Sequence, residues 1–183
     1  MRTMRKFVAF LLVVTAYSTI AASPSIGKVY SLKLLDVDGR NLSTGEGVVT
    51  VLVIATRANL DKAREVGDRI PERCLGNPGY RMITVIGFGK TRTRMMQYLL
   101  SAAVRHGLDS EAARLKTRYL AKGINRNPRS DLYAVADFND HLAAELDLSP
   151  STQFQVLVLS RDGTLIREWT NAPSAEELAA ALP

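Results

Sequence analysis

Few residues in this chain carry chemistry, and their spacing limits what that chemistry can be. Cys74 is the sole cysteine, so no intramolecular disulfide can form, which is unusual for a redox protein of an oxidising compartment. It follows Arg73, and a neighbouring cation favours a thiolate. That permits a single-cysteine thiol oxidoreductase or peroxidase, or an intermolecular disulfide. A buried, inert small side chain is the commoner fate of a free cysteine, and it is the expectation here. His106 and His141 are the only histidines. Asp137 and His141 stand at i, i+4, but without a cluster around them they make a weak metal site. No metal and no cofactor are expected, and no Ser-His-Asp order, phosphate loop or paired-carboxylate cleft can be argued.

Two further groups could bind rather than react. Arg57 precedes a predicted helix whose free N–H groups could help it hold a carboxylate or phosphate. Asp61 opposes that use; as a first-turn carboxylate it suits the helix dipole, and it lacks a partner for acid–base work. Between Lys90 and Arg129 ten basic residues face only Asp109 and Glu111. Arg114, Arg118 and Lys122 within that segment are the candidate partner surface, for an envelope protein or an anionic surface, with a solvated helical face as the plainer account.

The elements that must position these groups follow from patterning. Val48–Ala55 is a continuous, β-branched run suited to a strand buried on both faces. Leu60, Ala63, Val66 and Ile70 repeat at helical spacing, with Asn59 as the expected N-cap and Pro71 as the stop. Tyr80–Phe88 is a second buried strand. Met95, Met96, Leu99, Leu100, Ala103 and Val104 form an apolar face of a helix over Lys90–His106, read as core-facing. Gly107 is expected to end it, and Asp109 or Ser110 to cap a separate helix running to Lys122. Ile124–Ser130 reads as a mobile loop and Asp131–Ala136 as a strand. Asn139 or Asp140 starts a short helix. Phe154–Leu159 and Thr164–Trp169 form a hairpin around Arg161-Asp162-Gly163, and Ser174 with Glu177 makes a capping box. Near the start, Val29–Leu35 and Arg40–Leu42 pair around Asp36-Val37-Asp38-Gly39. The order predicts an α/β fold with parallel strands and an antiparallel edge.

The first residues are set apart by composition. Arg2, Arg5 and Lys6 precede the apolar stretch Phe7–Tyr17, and small residues follow, the pattern of an export signal over 1–22. The single domain is then expected over 23–183, periplasmic or secreted. No later segment is apolar enough to span a bilayer, and an exported chain has little occasion to meet nucleic acid. The formal charge is +6, and the n-region accounts for half of it.

This order, with its D-x-D-G turn before the first core strand and its S-R-D-G hairpin before the last helix, resembles the thioredoxin-like fold. The nearer likeness is to the extracytoplasmic TlpA-like and peroxiredoxin-like branches, from about Val29 to Leu182. The resemblance implies a mixed central sheet with flanking helices, here with an N-terminal β-hairpin and an extra basic helical insert over about 90–130. In active members a Cys-x-x-Cys follows the first long strand, behind Ala-Thr-Trp. Here Ala55-Thr56-Arg57 matches that triplet except at Trp, and the redox pair falls on Ala58 to Asp61, without a cysteine. The place of the family's cis-proline falls on Phe154, with Pro150 four residues early. The chain is also similar to the exported, redox-inactive YtfJ proteins. The resemblance therefore implies a binding or accessory protein of the envelope, with Arg57, Ala58, Asp61 and Phe154 as degenerate redox-site positions.

Overall fold

The structure is a computed structural model that describes residues 24–90, 93–146, 148 and 153–183. The expected export signal over 1–22 and Pro150 lie outside the described residues. A first hairpin pairs β1 (Lys33–Leu35) with β2 (Asn41–Ser43). The main sheet has five strands in the order β5-β4-β3-β6-β7, with β3 (Val49–Thr56) at its centre. Strands β4 (Tyr80–Gly87) and β5 (Tyr133–Asp137) run parallel to β3, whereas β6 (Phe154–Leu159) and β7 (Leu165–Trp169) form the antiparallel side. The apolar run thus becomes the innermost strand, buried on both faces, as its lack of alternation predicts.

Alternation within each strand assigns two cores. Leu52, Ile83, Val85, Leu157 and Leu159 pack on one face beneath the hairpin residues Leu32, Leu34 and Leu42 and α3 (His141–Glu145). Val51, Val53, Val156 and Val158 face the other way, under α1 (Leu60–Asp68) and α4 (Ala175–Ala181). Ser174 and Glu177 form the reciprocal capping box of α4. The turn Asp36–Arg40 is fastened by the buried Asp36 carboxylate. It accepts from Arg40 Nε at 2.5 Å and from the Arg40 and Asp38 amides. Arg40 also donates to the Leu132 carbonyl at 2.6 Å and lies over the Tyr133 ring. The Val37 amide bonds the Ala134 carbonyl on β5, and at the far side of the sheet Gly27 and Leu165 bond through backbone.

Several expectations are corrected. Helix α2 runs unbroken from Arg94 to Ala121, through Gly107. A helical glycine costs only ~1 kcal/mol, and Ser110 does not cap a second helix but donates to the His106 carbonyl within the same one. The segment before β5 is not a loose loop. Asn127 caps a 3₁₀ turn over Pro128–Asp131, and Arg129 reaches Asp38 and Asp109. The start of α3 is served neither by Asn139 nor by the Asp140 side chain. The Asp137 carboxylate accepts the Asn139, His141 and Leu142 amides.

Candidate functional site: the strand-to-helix junction and the channel behind it

The chain leaves β3 at Thr56, makes a 3₁₀ turn over Arg57–Asn59 and enters α1 at Leu60. Strand β3 is held at this point by the Thr56 amide on the Gln153 carbonyl. Asn59 stands at the N-cap, but its side chain faces away from the helix amides and donates to Thr56 Oγ1 and the Gln153 carbonyl. Arg57 and Ala58 are exposed. Arg57 forms no hydrogen bond or ion pair with another described residue. The Asp61 side chain is 94% exposed and pairs with Arg64 at 2.7 Å, so it complements the first turn and the next one rather than any cleft. Phe154 opens β6 opposite Ala55, buried, with Lys62 over its ring. The junction is therefore open to solvent and carries no thiol.

The thiol lies elsewhere. Cys74 sits in the 3₁₀ turn Glu72–Cys74, which precedes β4 and lies at the opposite end of the parallel strands. At 3.3 Å per residue, the length of β3 puts it on the order of 20 Å from the junction. It is 7% exposed. Burial pushes the thiol above its ordinary range, and the opposing pull of Arg73 is the smaller effect. Arg73 is itself occupied, donating to the Ala179 and Leu182 carbonyls.

The basic segment is engaged with acids brought to it by folding. Arg64 of α1 donates to Glu111 of α2 at 3.1 Å, and Arg114 donates to both oxygens of Asp68 at 3.0 Å. Arg118 and Lys122 share Glu72, at 3.0 and 3.2 Å. The hydrogen bonds from Arg118 and then Lys122 hold the Glu72 carboxyl below its usual range. Arg114, Arg118 and Lys122 thus form a ladder of ion pairs that ties α2 to α1 and to the turn after it. The three cations keep between about a quarter and a half of their side chains exposed while paired, Arg114 with nearby Glu111 and with Asp68, and Arg118 and Lys122 with Glu72; Asp68 and Glu72 lie more than forty positions away in sequence, beyond the reach of local charge counting.

Beneath the ladder α2 does not close onto the sheet. A cavity of about 570 Å³ runs between them. Its floor is the Met82, Thr84, Ile86 and Phe88 face of β4, and one wall is Leu60, Ala63 and Gly67 of α1. Leu100, Val104, Leu108 and Leu115 of α2 form the roof. Since the floor runs the length of β4, the channel is about 25 Å long. One end opens at the junction, beside Arg57 and Phe88, whose ring stacks on Phe138 at 5.4 Å. Toward the start of β4 the lining includes Tyr80, Arg81 and the buried Cys74, and polar groups that have partners. Tyr119, 2% exposed, donates to Asp131 at 2.6 Å, and Arg126 pairs with the same carboxylate.

The apolar stripe on the first half of α2 is not core, contrary to the sequence reading. Met95 is 75% exposed, and Met96, Tyr98 and Leu99 are exposed with it. The 28-residue helix is about 42 Å long, well beyond the roughly 26 Å strand it crosses, so its first turns project past the sheet. No sequence pattern separates a stripe facing core from the same stripe facing an open channel. Among the described residues no group of three or more His, Cys, Asp or Glu could hold a metal ion, and no helix is long and apolar enough to cross a membrane.

No protein-family model matches the sequence, and no curated relative does. Solved structures do match in shape. A DsbF homologue from Corynebacterium diphtheriae superposes with a TM-score of 0.54 at 10% identity, covering 92% of this chain and 97% of that one. DsbF of MTB, seen in mixed oxidized and reduced forms, gives 0.51 at 14% identity, covering 83% and 92%. At such identities shape alone is shared, and the likeness together with the five-stranded mixed sheet and its flanking helices establishes a thioredoxin-like fold for this chain.

Proposed function

We propose that this is an exported thioredoxin-fold protein that works by binding, as an accessory protein of the cell envelope, and not by thiol chemistry. The observation that carries the reading is the separation of the lone thiol from the junction: Ala58 and Asp61 stand where a redox pair would, and Cys74 is buried at the opposite end of the parallel strands. A buried thiol with a raised pKa offers little thiolate at neutral pH. Residues 1–22 act as the export signal and 23–183 as one domain, in the periplasm or outside the cell. The partner is an envelope protein or an anionic surface, in keeping with the likeness to the redox-inactive YtfJ proteins.

The test is thiol reactivity in the full chain at neutral pH. Cys74 should label only as fast as the fold opens, at least a hundredfold slower than in urea, with no peroxide turnover and no disulfide reduction. Fast labelling of the folded protein, with peroxide turnover that disappears in Cys74→Ser, would replace this reading with that of a single-cysteine thiol enzyme.

A further inference from the structure

We propose that the channel beneath α2 binds one long acyl chain with an anionic head, the chain lying along β4 and the head at the Arg57 end. The inference deepens the binding reading above and rests on it. Three observations point the same way. The cavity follows β4 from Tyr80 to Phe88 and is lined mainly by aliphatic and aromatic side chains, at a volume within the range of ligand sites. Such a shape suits a linear hydrocarbon better than a ring system. Charge then sets the direction of the chain. Arg118, Lys122 and Arg126 at the far end are each paired with Glu72 or Asp131. Arg81, near the start of β4, has no ion pair but is held by hydrogen bonds to Thr50 Oγ1 and the Ser43 carbonyl. At the junction end the Arg57, Lys90 and Arg94 side chains form neither a hydrogen bond nor an ion pair with a described residue, so an anionic head would find its uncommitted cations there.

The third observation is the projecting start of α2. Met95, Met96, Tyr98 and Leu99 form an exposed apolar tip at the same mouth, alongside those cations. Apolar side chains flanked by cations are the composition of a surface that meets lipid head groups and tails. A mouth of this kind lets a chain pass from a bilayer or micelle into the channel without crossing water. The ladder of exposed ion pairs that roofs the channel is weak for its extent, so α2 can lift to admit the chain and settle again.

The experiment uses the full chain with palmitate, its shorter homologues, hexadecanol, and vesicles of phosphatidylglycerol, read by native mass spectrometry and by titration calorimetry. One palmitate per chain is expected, with affinity falling about tenfold for each two methylenes removed. Arg57→Glu, on an exposed turn with no partner among the described residues, should weaken palmitate at least fivefold and leave hexadecanol unchanged. Val104→Trp should block both. A soluble complex carrying one phospholipid after incubation with vesicles would identify a membrane lipid as the source, and a palmitate complex alone a free fatty acid. Adsorption to vesicles without a one-to-one complex, or affinity independent of chain length, would overturn the inference. Should palmitate fail to bind while Cys74 stays unreactive, only this inference falls; a reactive Cys74 removes the binding reading itself.

Discussion

The triple variant Arg114→Ala, Arg118→Ala, Lys122→Ala tests how α2 is held. It removes four ion pairs: Arg114 with Asp68 and with Glu111, and Arg118 and Lys122 with Glu72. All four join side chains that are between about a quarter and a half exposed, so solvent screening keeps each at roughly 0.2–1 kcal/mol. Neighbouring pairs that share an acid do not add fully. The expected loss is about 1–3 kcal/mol, a Tm fall of several degrees for a chain of this size. Urea unfolding followed by Trp169, the only tryptophan, gives the global change from a probe on β7, away from the altered helix. Hydrogen exchange along α2 should quicken more than exchange in β3. In about 1 M salt, where the Debye length shrinks to ~3 Å, the gap between variant and parent should narrow by half or more. Lys116→Ala, which removes a cation without an ion pair to any described residue, should stay within about 0.5 kcal/mol of the parent. A loss above ~4 kcal/mol that salt leaves unchanged, or no loss at low salt, would refute the picture of α2 as a helix strapped down by surface charge. The same geometry governs partner-binding tests, because reversing these cations to Glu would repel Asp68, Glu72 and Glu111 and loosen α2 itself.

Three other outcomes can be checked by denaturation. Gly163→Ala should cost roughly 1–3 kcal/mol, because Gly163 has a φ of +86° and an added Cβ would sit 2.9 Å from the Tyr30 carbonyl oxygen. Asp36→Ala should cost about 2–4 kcal/mol, since it strips Arg40 and two backbone amides of a fully buried carboxylate. Alkaline pH should destabilise the fold progressively. Burial raises both Cys74 and Tyr119 above their ordinary values of 9.0 and 10.0. Their contribution is then complete below pH 9.0 and is lost as pH rises toward the folded values, because the unfolded chain ionises first. Cys74→Ala with Tyr119→Phe should flatten that decline, and an unchanged alkaline slope in the double variant would assign it to other groups.

The central strand was legible because eight consecutive apolar or β-branched positions admit little else, and the α4 cap because Ser174 and Glu177 stand at the required spacing. Gly107 misled because glycine weakens a helix only slightly, while the turns on either side of it supply the hydrogen bonds that carry the helix through. The cap of α3 was missed for a related reason: Asp137, at the end of β5, does the work expected of the residues nearer the helix. The absence of a thiol at the junction could be read directly from Ala58 to Asp61. The burial of Cys74 and the pairing of the basic segment could not, since both depend on elements joined only by the fold, such as Arg73 with Leu182 and Arg114 with Asp68.

The stretch from Gly27 to Arg40 touches both margins of the main sheet: near its start it bonds Leu165 of β7, and at its end it bonds Ala134 of β5 and Leu132 just before that strand. Between those moorings it passes over one face with Tyr30, Leu32 and Leu34 turned inward. Exposed strand margins are where sheets recruit foreign strands. One short span of backbone therefore acts as a girdle against runaway pairing. A cut within it would loosen the cover at both flanks and leave the sheet more open to strand addition.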